Sequence, residues 1–410
     1  MSAENFKVTR SARTHALLGL VLAVCGSPIA QANTDALRLV EQQITVAGVP
    51  RVVRVPEGYR LELLAGGLDE PRLPSFAANG DLIIPSKSGK VYRLAPPYTR
   101  PEVLVTLNDY PHSVAFRGTE MLIAQTDGVY RAAYRSGQAR VVRDDVSLLA
   151  ALPGGRGHTS RTVGVGPDGR VYVSLGLSGN CSDQYIGPGY AFEEQRGGVM
   201  VLREDVKPPR WEPYASGLRN PVGFAWHPRT GVLYASNNGP DHHGFEQPPE
   251  YFSRVSAGSF HGMPWFQFDG KTLRRDACIT RAPPRPAGDV VLPVVTFASR
   301  NAPLGMSFVP QGALDPRLEF DAVVSLHGSW GTQPSGGFIG DAATRRPPKL
   351  VAVRFEQGEA KRVDDLVTGF QLPNGERWAR PAGVAVGPDG ALYFTSDSGV
   401  SGVFRLKRVP

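Results

Sequence analysis

Arginine and histidine side chains recur directly before short apolar stretches of the chain. The six positions are occupied by Arg72, His112, His158, Arg219, Arg300 and Arg380. Arginine presents a planar set of donors that matches carboxylates. Imidazole titrates near neutral pH and can take the proton of a hydroxyl group. If these positions meet in space, they predict a site for a small polyanion with a general base beside it.

Each position opens a unit of two short strands joined by a tight turn. In residues 157–176 the turn is Pro-Asp-Gly, and the alternating residues around it predict paired antiparallel strands. Similar units lie at 221–236 and 381–395, with weaker copies at 73–86, 112–124 and 303–326. Units that cannot bury their own faces stack around an axis. The sequence therefore predicts an all-β fold, a six-bladed β-propeller with long inter-strand loops.

The ring of blades must close, so the first strand is expected to pair with the last. The alternating segment 58–65 is predicted to complete the final blade beside residues 403–406. Long insertions rich in glycine and proline separate other strands, at 180–198, 239–265, 270–293 and 328–349. Loops of this length in a compact fold usually carry function.

The chain divides into three predicted segments. Residues 1–32 have a basic start, an apolar run at 16–25 and small residues before Ala32, which is typical of a cleaved secretory signal peptide. The apolar run is too short to anchor the chain across a bilayer, and no other segment is predicted to span one. We therefore expect a periplasmic or secreted protein with a lead-in at 33–57 and one propeller at 58–410.

Cysteine usage follows from this prediction. Cys25 lies within the signal peptide, where the bulky Val24 before it argues against lipid attachment. Cys181 and Cys278 remain in an oxidising compartment, where they either form one disulfide or stay as two thiols.

Composition limits the classes of partner. The 410 residues include 45 Lys and Arg against 38 Asp and Glu, but the basic residues are scattered and form no run interleaved with aromatic residues. This argues against nucleic-acid binding. No Gly-x-Gly-x-x-Gly segment opens a helix, so a nicotinamide dinucleotide lacks its usual site.

The segment 238–244 contains possible metal ligands. Its backbone carbonyls and Asp241 offer hard oxygen ligands to calcium, although an ordinary Gly-Pro turn explains the same residues. His242 and His243 are adjacent, but no third ligand is spaced near them, which argues against a transition-metal site. The segment 325–330 ends another strand and places His327 near the predicted channel mouth, with Trp330 beside it.

Several of these segments together resemble the soluble glucose/sorbosone dehydrogenase family. Its members are six-bladed propellers that bind pyrroloquinoline quinone (PQQ) and calcium. The segments that carry the resemblance are 157–161, 217–223, 238–240, 325–330 and 378–383. The Leu-His-Gly-Ser-Trp segment is more similar to the sorbosone branch than to the glucose branch. The resemblance extends from about residue 58 to residue 406.

The resemblance implies an oxidoreductase that acts on a sugar. His158 would be the general base that takes the hydroxyl proton of the substrate, and a hydride would pass from the same carbon to PQQ. Gly239 and Pro240 match positions whose backbone carbonyls bind calcium, which polarises the quinone carbonyl. A quinone or a cytochrome would then accept the electrons.

The resemblance also implies a set of cofactor contacts. Arg219 and Asn220 match positions beside PQQ, and Arg380 matches an arginine that pairs with its carboxylates. Arg300 and His327 stand where the glucose branch has a threonine and a lysine, and they are predicted to contact the cofactor as well.

Two other classes of protein are consistent with a secreted propeller. One is a binding propeller without catalytic activity, in which the channel mouth has no reason to be cationic. The other is a metal-dependent lactonase, which needs carboxylates and an asparagine facing the channel. The Arg and His residues at the predicted mouth favour the oxidoreductase over both.

Overall fold

The predicted six-bladed β-propeller is confirmed by the computed structural model, which describes residues 37–135 and 137–409. Its blades are antiparallel sheets of four strands, one of them extended by a fifth. No helix of the described residues is long and apolar enough to cross a membrane. The predicted signal peptide lies outside the described residues.

The strands follow one another around the ring. The chain enters through β1 (Leu39–Val46), β2 (Val49–Pro56) and β3 (Tyr59–Gly66). Blades 1 and 2 are β4 (Ser75–Phe76), β5 (Leu82–Pro85), β6 (Lys90–Leu94) and β7 (Glu102–Thr106), then β8 (Ser113–Arg117), β9 (Glu120–Ala124), β10 (Gly128–Ala133) and β11 (Ser147–Ala151).

Blades 3 and 4 carry long loops. Their strands in chain order are β12 (Arg161–Val165), β13 (Val171–Leu175), β14 (Gly198–Arg203), β15 (Arg210–Ser216), β16 (Gly223–Trp226), β17 (Leu233–Asn237), β18 (Glu250–Val255), β19 (Ser259–Phe260), β20 (Phe266–Phe268), β21 (Leu273–Arg275) and β22 (Val295–Phe297). β22 completes blade 4, β19 joins the edge of blade 3 in parallel with β15, and β20 and β21 form a hairpin within the loop.

Blades 5 and 6 close the ring. Their strands are β23 (Pro303–Phe308), β24 (Ala322–Leu326), β25 (Lys349–Glu356), β26 (Glu359–Val367), β27 (Ala379–Val386), β28 (Leu392–Gly399) and β29 (Gly402–Arg408). Short 3-10 helices occur at Arg143–Asp145, Phe192–Glu194, Ala287–Asp289, Pro316–Leu318 and Ala342–Thr344.

The ring closes between the two ends of the chain, as predicted. β3 pairs antiparallel with β29 in blade 6, with Leu61 opposite Leu406 and Leu63 opposite Phe404. The preceding segment, predicted only as a lead-in, forms a separate hairpin in which β1 pairs with β2.

The innermost strands approach one another closely because glycine occupies their contact points. A Cβ atom on Gly383 would lie 2.3 Å from Cδ of Pro74, and one on Gly223 would lie 2.2 Å from the carbonyl oxygen of Leu304. The Pro-x-Gly segments at 221–223, 303–305 and 381–383 therefore meet a packing requirement. The inner strands enclose a central cavity of about 120 Å³ to which all six blades contribute.

Hydroxyl groups connect blade 4 to blade 5, blade 5 to blade 6 and blade 6 to blade 1 around this cavity. The bonds run from Ser236 to the carbonyl of Leu304 (2.8 Å), from Ser325 to that of Ala382 (2.7 Å) and from Thr395 to that of Arg72 (2.7 Å). These hydroxyls occupy the same place in the second strand of blades 4, 5 and 6. These buried hydroxyls each have a hydrogen-bond partner. They fix the position of one blade relative to the next, and so they hold the residues at the ends of these strands in place.

The core lies between neighbouring blades. Tyr234 and Phe252 of blade 4 stack with ring centroids 5.4 Å apart, and Phe355 of blade 5 meets Tyr234 edge-on at 5.2 Å. Such pairs add to the free energy gained from burying the rings.

Cys181 and Cys278 form a disulfide, which decides between the two alternatives left by the sequence. The bond joins the loop after β13 to the loop after β21.

Candidate functional site

Most of the predicted positions gather at one end of the channel, because they lie at or just before the start of inner strands that all begin at that end. They form two groups around two aspartates. His112 joins neither group. It is fully buried, its Nδ1 lies 3.0 Å from the carbonyl oxygen of Arg161, and burial holds the pKa of its imidazole well below the ordinary value. His112 therefore belongs to the scaffold.

The first group lies at blade 4 and centres on Asp241. Its carboxylate pairs with Arg219, at 3.0 Å from Nη2, and with Arg300. Arg219 also donates two hydrogen bonds, of 2.9 and 2.6 Å, to the side-chain oxygen of Asn180. Asp241, expected as an oxygen ligand for calcium, is thus engaged by two guanidinium groups.

The second group lies between blades 5, 6 and 1 and centres on Asp397. One carboxylate oxygen accepts from Arg72 at 2.5 Å, and the other lies 2.7 Å from Nε2 of His327. Burial lowers the pKa of His327 to about 4, although Asp397 opposes this shift. At neutral pH the imidazole is therefore uncharged and donates its Nε2 proton to Asp397.

Asp397 was absent from the sequence-based set of site residues. It lies two residues after Thr395, as His327 lies two residues after Ser325 and Asn238 two residues after Ser236. The repeat alignment therefore contained the signal for a mouth residue at position 397, because equivalent places in neighbouring blades face the same end of the channel.

The two groups meet through the backbone. His327 donates its N–H to the carbonyl of Ala302 at 3.0 Å, and Gly328 donates to that of Asn301 at 2.9 Å. The segment that carries Arg300 therefore runs beside the segment that carries His327.

Arg380 lies beside the second group without a counter-ion. Its guanidinium donates to the carbonyls of His327 (3.1 Å) and Gly328 (3.2 Å), and no carboxylate of residues 37–135 and 137–409 lies within 4 Å. Burial lowers the pKa of Arg380, a shift that Asp397 opposes and neighbouring Arg72 and Arg345 reinforce. The Nε atoms of Arg72 and Arg345 are buried and have no partner among the described residues. This is an incompletely neutralised cationic surface.

His158 is held from three directions. Its Nδ1 bonds to the carbonyl of Leu177, and its own carbonyl accepts hydrogen bonds of 2.8 Å from both Arg161 and Arg196. Burial, followed by the charge of Arg219, lowers the pKa of the imidazole to about 4. With Nδ1 protonated toward Leu177, the neutral ring carries its lone pair on Nε2, which no described residue hydrogen-bonds.

Asn220 lies next to His158 across a glycine. A Cβ atom on Gly176 would lie 2.5 Å from Oδ1 of Asn220 and 2.5 Å from Cβ of His158. The backbone N–H of Asn220 donates to the side chain of Asn237 at 2.9 Å. Gly176 thus lets these two predicted site residues approach each other.

The predicted calcium segment is braced by Glu250. This buried carboxylate accepts a hydrogen bond from the N–H of Gly239 and another, of 3.4 Å, from that of Ala302. Burial raises its pKa to about 7. Within the described part of the chain, no donor is hydrogen-bonded to the carbonyl oxygens of Gly239 or Pro240. Both oxygens stay available as ligands for a hard cation.

Two exposed aromatic side chains pack together in a loop of blade 5. Trp330 is 39% exposed, and its ring packs against that of Phe338, itself 75% exposed, with centroids 4.3 Å apart. Both residues belong to the loop that follows His327.

Comparison with known proteins gives one family and several structural neighbours. A family model described as TrAA12-like matches residues 53–247 and 271–408. The iodide structure of the Trichoderma reesei protein of carbohydrate-active enzyme family AA12 has a TM-score of 0.72 and 18% identity, covering 92% of this chain and 100% of that chain.

Two further matches span most of the chain. The holo form of the PQQ domain of pyranose dehydrogenase from Coprinopsis cinerea has a TM-score of 0.68 and 20% identity, covering 87% of this chain and 97% of that chain. A protein of Borreliella burgdorferi with no described function is 22% identical over 372 residues, which is 87% of this chain and 92% of the relative. The structural likenesses show a shared propeller fold.

Proposed function

This chain belongs to the TrAA12-like family, and we propose that it is an exported quinoprotein oxidoreductase that oxidises a sugar or a sugar-derived aldehyde or alcohol by hydride transfer to PQQ. Similarity to a propeller whose name includes a PQQ domain supports the cofactor. The substrate class follows from the same pyranose dehydrogenase and from the resemblance of residues 326–330 to the sorbosone branch.

The observation that carries the proposal is the uncompensated charge of Arg380. At the channel mouth Asp397 faces Arg72, and Asp241 faces both Arg219 and Arg300, whereas the hydrogen-bond partners of Arg380 within residues 37–135 and 137–409 are backbone carbonyls. Burying a guanidinium without a counter-ion is unfavourable. A small ligand with several carboxylates would neutralise it and would meet the donor fork of arginine. The residues present therefore fit PQQ.

Residues of this chain would bind both the cofactor and the calcium ion. Arg380, Arg219, Arg300, Asn220 and His327 would hold the cofactor, and the carbonyls of Gly239 and Pro240 would hold Ca²⁺. When bound, PQQ supplies a two-electron acceptor and Ca²⁺ polarises its carbonyl.

His158 would act as the general base. The bond from Nδ1 to Leu177 fixes the ring and its tautomer, so that Nε2 accepts the substrate proton. Burial keeps the imidazole neutral in the absence of ligand. Removal of the hydroxyl proton makes the adjacent carbon a better hydride donor. The exposed rings of Trp330 and Phe338 offer an apolar face against which a sugar ring could pack.

A lactonase is not supported by the geometry. Its metal would need free carboxylates at the channel mouth, but Asp241 and Asp397 are paired with arginines and Glu250 accepts backbone N–H groups.

The test is a titration of cofactor-free protein with PQQ in the presence of Ca²⁺, followed by absorbance, together with dye reduction by aldoses and sorbosone. We expect saturable binding and sugar-dependent reduction. In Arg380→Gln, binding should weaken by more than about tenfold because each lost charge-assisted contact is worth roughly 1.5–3 kcal/mol. Failure of the unmodified protein to bind PQQ would overturn the proposal.

The variant His158→Gln distinguishes loss of the general base from loss of cofactor binding. Glutamine keeps a donor for Leu177 but cannot take a proton, so turnover should fall by about 10²–10⁴ while PQQ affinity stays close to that of the unmodified protein. The acid limb of kcat/KM should not lie below about pH 4, because the neutral imidazole is the active form and an anionic cofactor raises the pKa from its free value. Turnover that survives in His158→Gln would assign the base to another residue.

A further inference from the structure

His242 and His243 direct both Nε2 atoms at the same carboxylate. Nε2 of His242 lies 3.0 Å from Oδ2 of Asp276 and 3.2 Å from Oδ1, and Nε2 of His243 lies 2.9 Å from Oδ2. The aspartate comes from the loop after β21, more than thirty residues farther along the chain. The fold thus brings a possible third ligand to the two histidines, although none is spaced near them in the sequence.

The nitrogen-to-oxygen separations match edges of a metal coordination polyhedron, and the three ligand atoms lie within 4.8 Å of one another. Bonds of about 2.0–2.1 Å from nitrogen and oxygen to a tetrahedral or octahedral ion place neighbouring ligand atoms about 2.9–3.4 Å apart. Adjacent residues in a strand would point to opposite sides, but the turn at 241–244 brings both rings to one side, with centroids 4.0 Å apart.

Surrounding residues hold the three ligands in place. The side chain of Asp276 is only 1% exposed and accepts hydrogen bonds from the N–H of Cys278 (3.0 Å) and from Gln267 (3.2 Å). The turn that carries the histidines is fixed by Arg300, which donates to the carbonyls of Asp241 and Gly244. Outer hydrogen bonds of this kind orient ligands in metal sites.

We propose that His242, His243 and Asp276 bind one late first-row divalent cation, Zn²⁺ or Cu²⁺. Two imidazoles and one carboxylate suit these ions and disfavour calcium or magnesium, which prefer oxygen ligands. The sulfur atoms of Cys181 and Cys278 also approach His242, but they are joined in the disulfide and offer no thiolate.

The site is open to solvent. The side chains of His242 and His243 are 28% and 34% exposed, and His243 and Asp276 line a cavity of about 430 Å³. An ion can therefore reach the site, and three protein ligands leave at least one position for water or a small anion. The site is distinct from the carbonyls of Gly239 and Pro240, and it does not depend on the proposed oxidoreductase activity.

The experiment uses untagged, chelator-treated protein with the disulfide intact and without PQQ. Zn²⁺ binding is measured by calorimetry, and Cu²⁺ binding by electron paramagnetic resonance. We expect one equivalent of tightly bound metal and a Cu²⁺ spectrum with splitting from two nitrogen ligands. The melting temperature should rise with metal concentration because the ion binds only the folded state.

Variants decide whether these residues are the ligands. His242→Ala and His243→Ala remove exposed side chains and should each lower affinity by at least about tenfold. Asp269→Asn is the matched control, because Asp269 lines the same cavity but lies outside the cluster, and its affinity should stay within about twofold. Absence of saturable binding, or equal affinity in both histidine variants and the unmodified protein, would overturn the proposal.

Discussion

Two aspartates perform a similar electrostatic task at the channel mouth, but they come from different kinds of structure. Asp397 lies near the end of strand β28 at a repeat position. Its side chain is 11% exposed and pairs with Arg72 and His327. Asp241 lies in an inserted turn, its side chain is 29% exposed, and it serves Arg219 and Arg300. The repeat supports the first aspartate, whereas loop contacts support the second.

The two groups differ in how many other hydrogen-bond acceptors their arginines keep when the aspartate is removed. Arg219 keeps two hydrogen bonds to Asn180 without Asp241, and Arg300 keeps the carbonyls of the turn. Arg72 is buried and has a second nitrogen without any partner among the described residues. We therefore expect the strand-borne group to contribute more to stability than the loop-borne group.

The largest expected effect is that of Asp397→Asn. It leaves Arg72 buried and unpaired, and so the free energy of unfolding should fall by about 3–5 kcal/mol. Urea unfolding measures this. Asp365→Asn, which removes an exposed ion pair with Lys349, is the control and should cost less than about 1 kcal/mol. Equal losses of unfolding free energy in Asp397→Asn and Asp365→Asn would contradict the structural role of Asp397.

Loss of the disulfide should have the next largest effect on stability. It should act mainly on the loop-borne group around Asp241. Cys181→Ser with Cys278→Ser frees two segments that are 97 residues apart, which should lower stability by about 2–4 kcal/mol. Hydrogen exchange should increase in the turn at 241–244 more than at Thr395 or Asp397. Equal increases in hydrogen exchange around Asp241 and around Asp397 would show that the disulfide does not act mainly on the loop-borne group.

Acid should weaken the strand-borne group through His327. Its pKa is about 4 in the folded protein and near 6.5 in the unfolded chain, so the unfolded state takes up the proton first. Stability is thus lost as the pH falls from about 6.5 toward 4. His327→Gln keeps a donor to Asp397 and should reduce the loss between pH 7 and 5 by about 2 kcal/mol. An unchanged pH profile would show that His327 is charged in the fold.

The smallest effect on stability should come from Asp241→Asn. Because both arginines keep other acceptors and the side chain is partly exposed, the loss should be about 1 kcal/mol. Thermal unfolding of Asp241→Asn and Asp397→Asn under the same conditions measures the difference in their stability. A loss as large as that of Asp397→Asn would mean that the turn is as integral to the fold as the strand.

The sequence by itself determined the architecture. Six units of two short strands joined by a turn predicted six blades, and the positions before the first strand of each unit predicted Arg219, Arg300 and Arg380 at one end of the channel. The pairing of β3 with β29 also followed, because a ring of strands must close. Periodic features are readable because every copy meets the same packing constraint, as Gly223 and Gly383 do.

Only the tertiary structure decided which side chains meet across the mouth. Asp397 reaches Arg72 across 325 residues, and Asp276 reaches His242 across 34. The disulfide between Cys181 and Cys278 was one of two options in the sequence. Inserted loops have no periodicity, and their partners depend on how the blades place their ends. The scaffold could therefore be predicted from local patterns, whereas the ligand sets depended on contacts between distant segments.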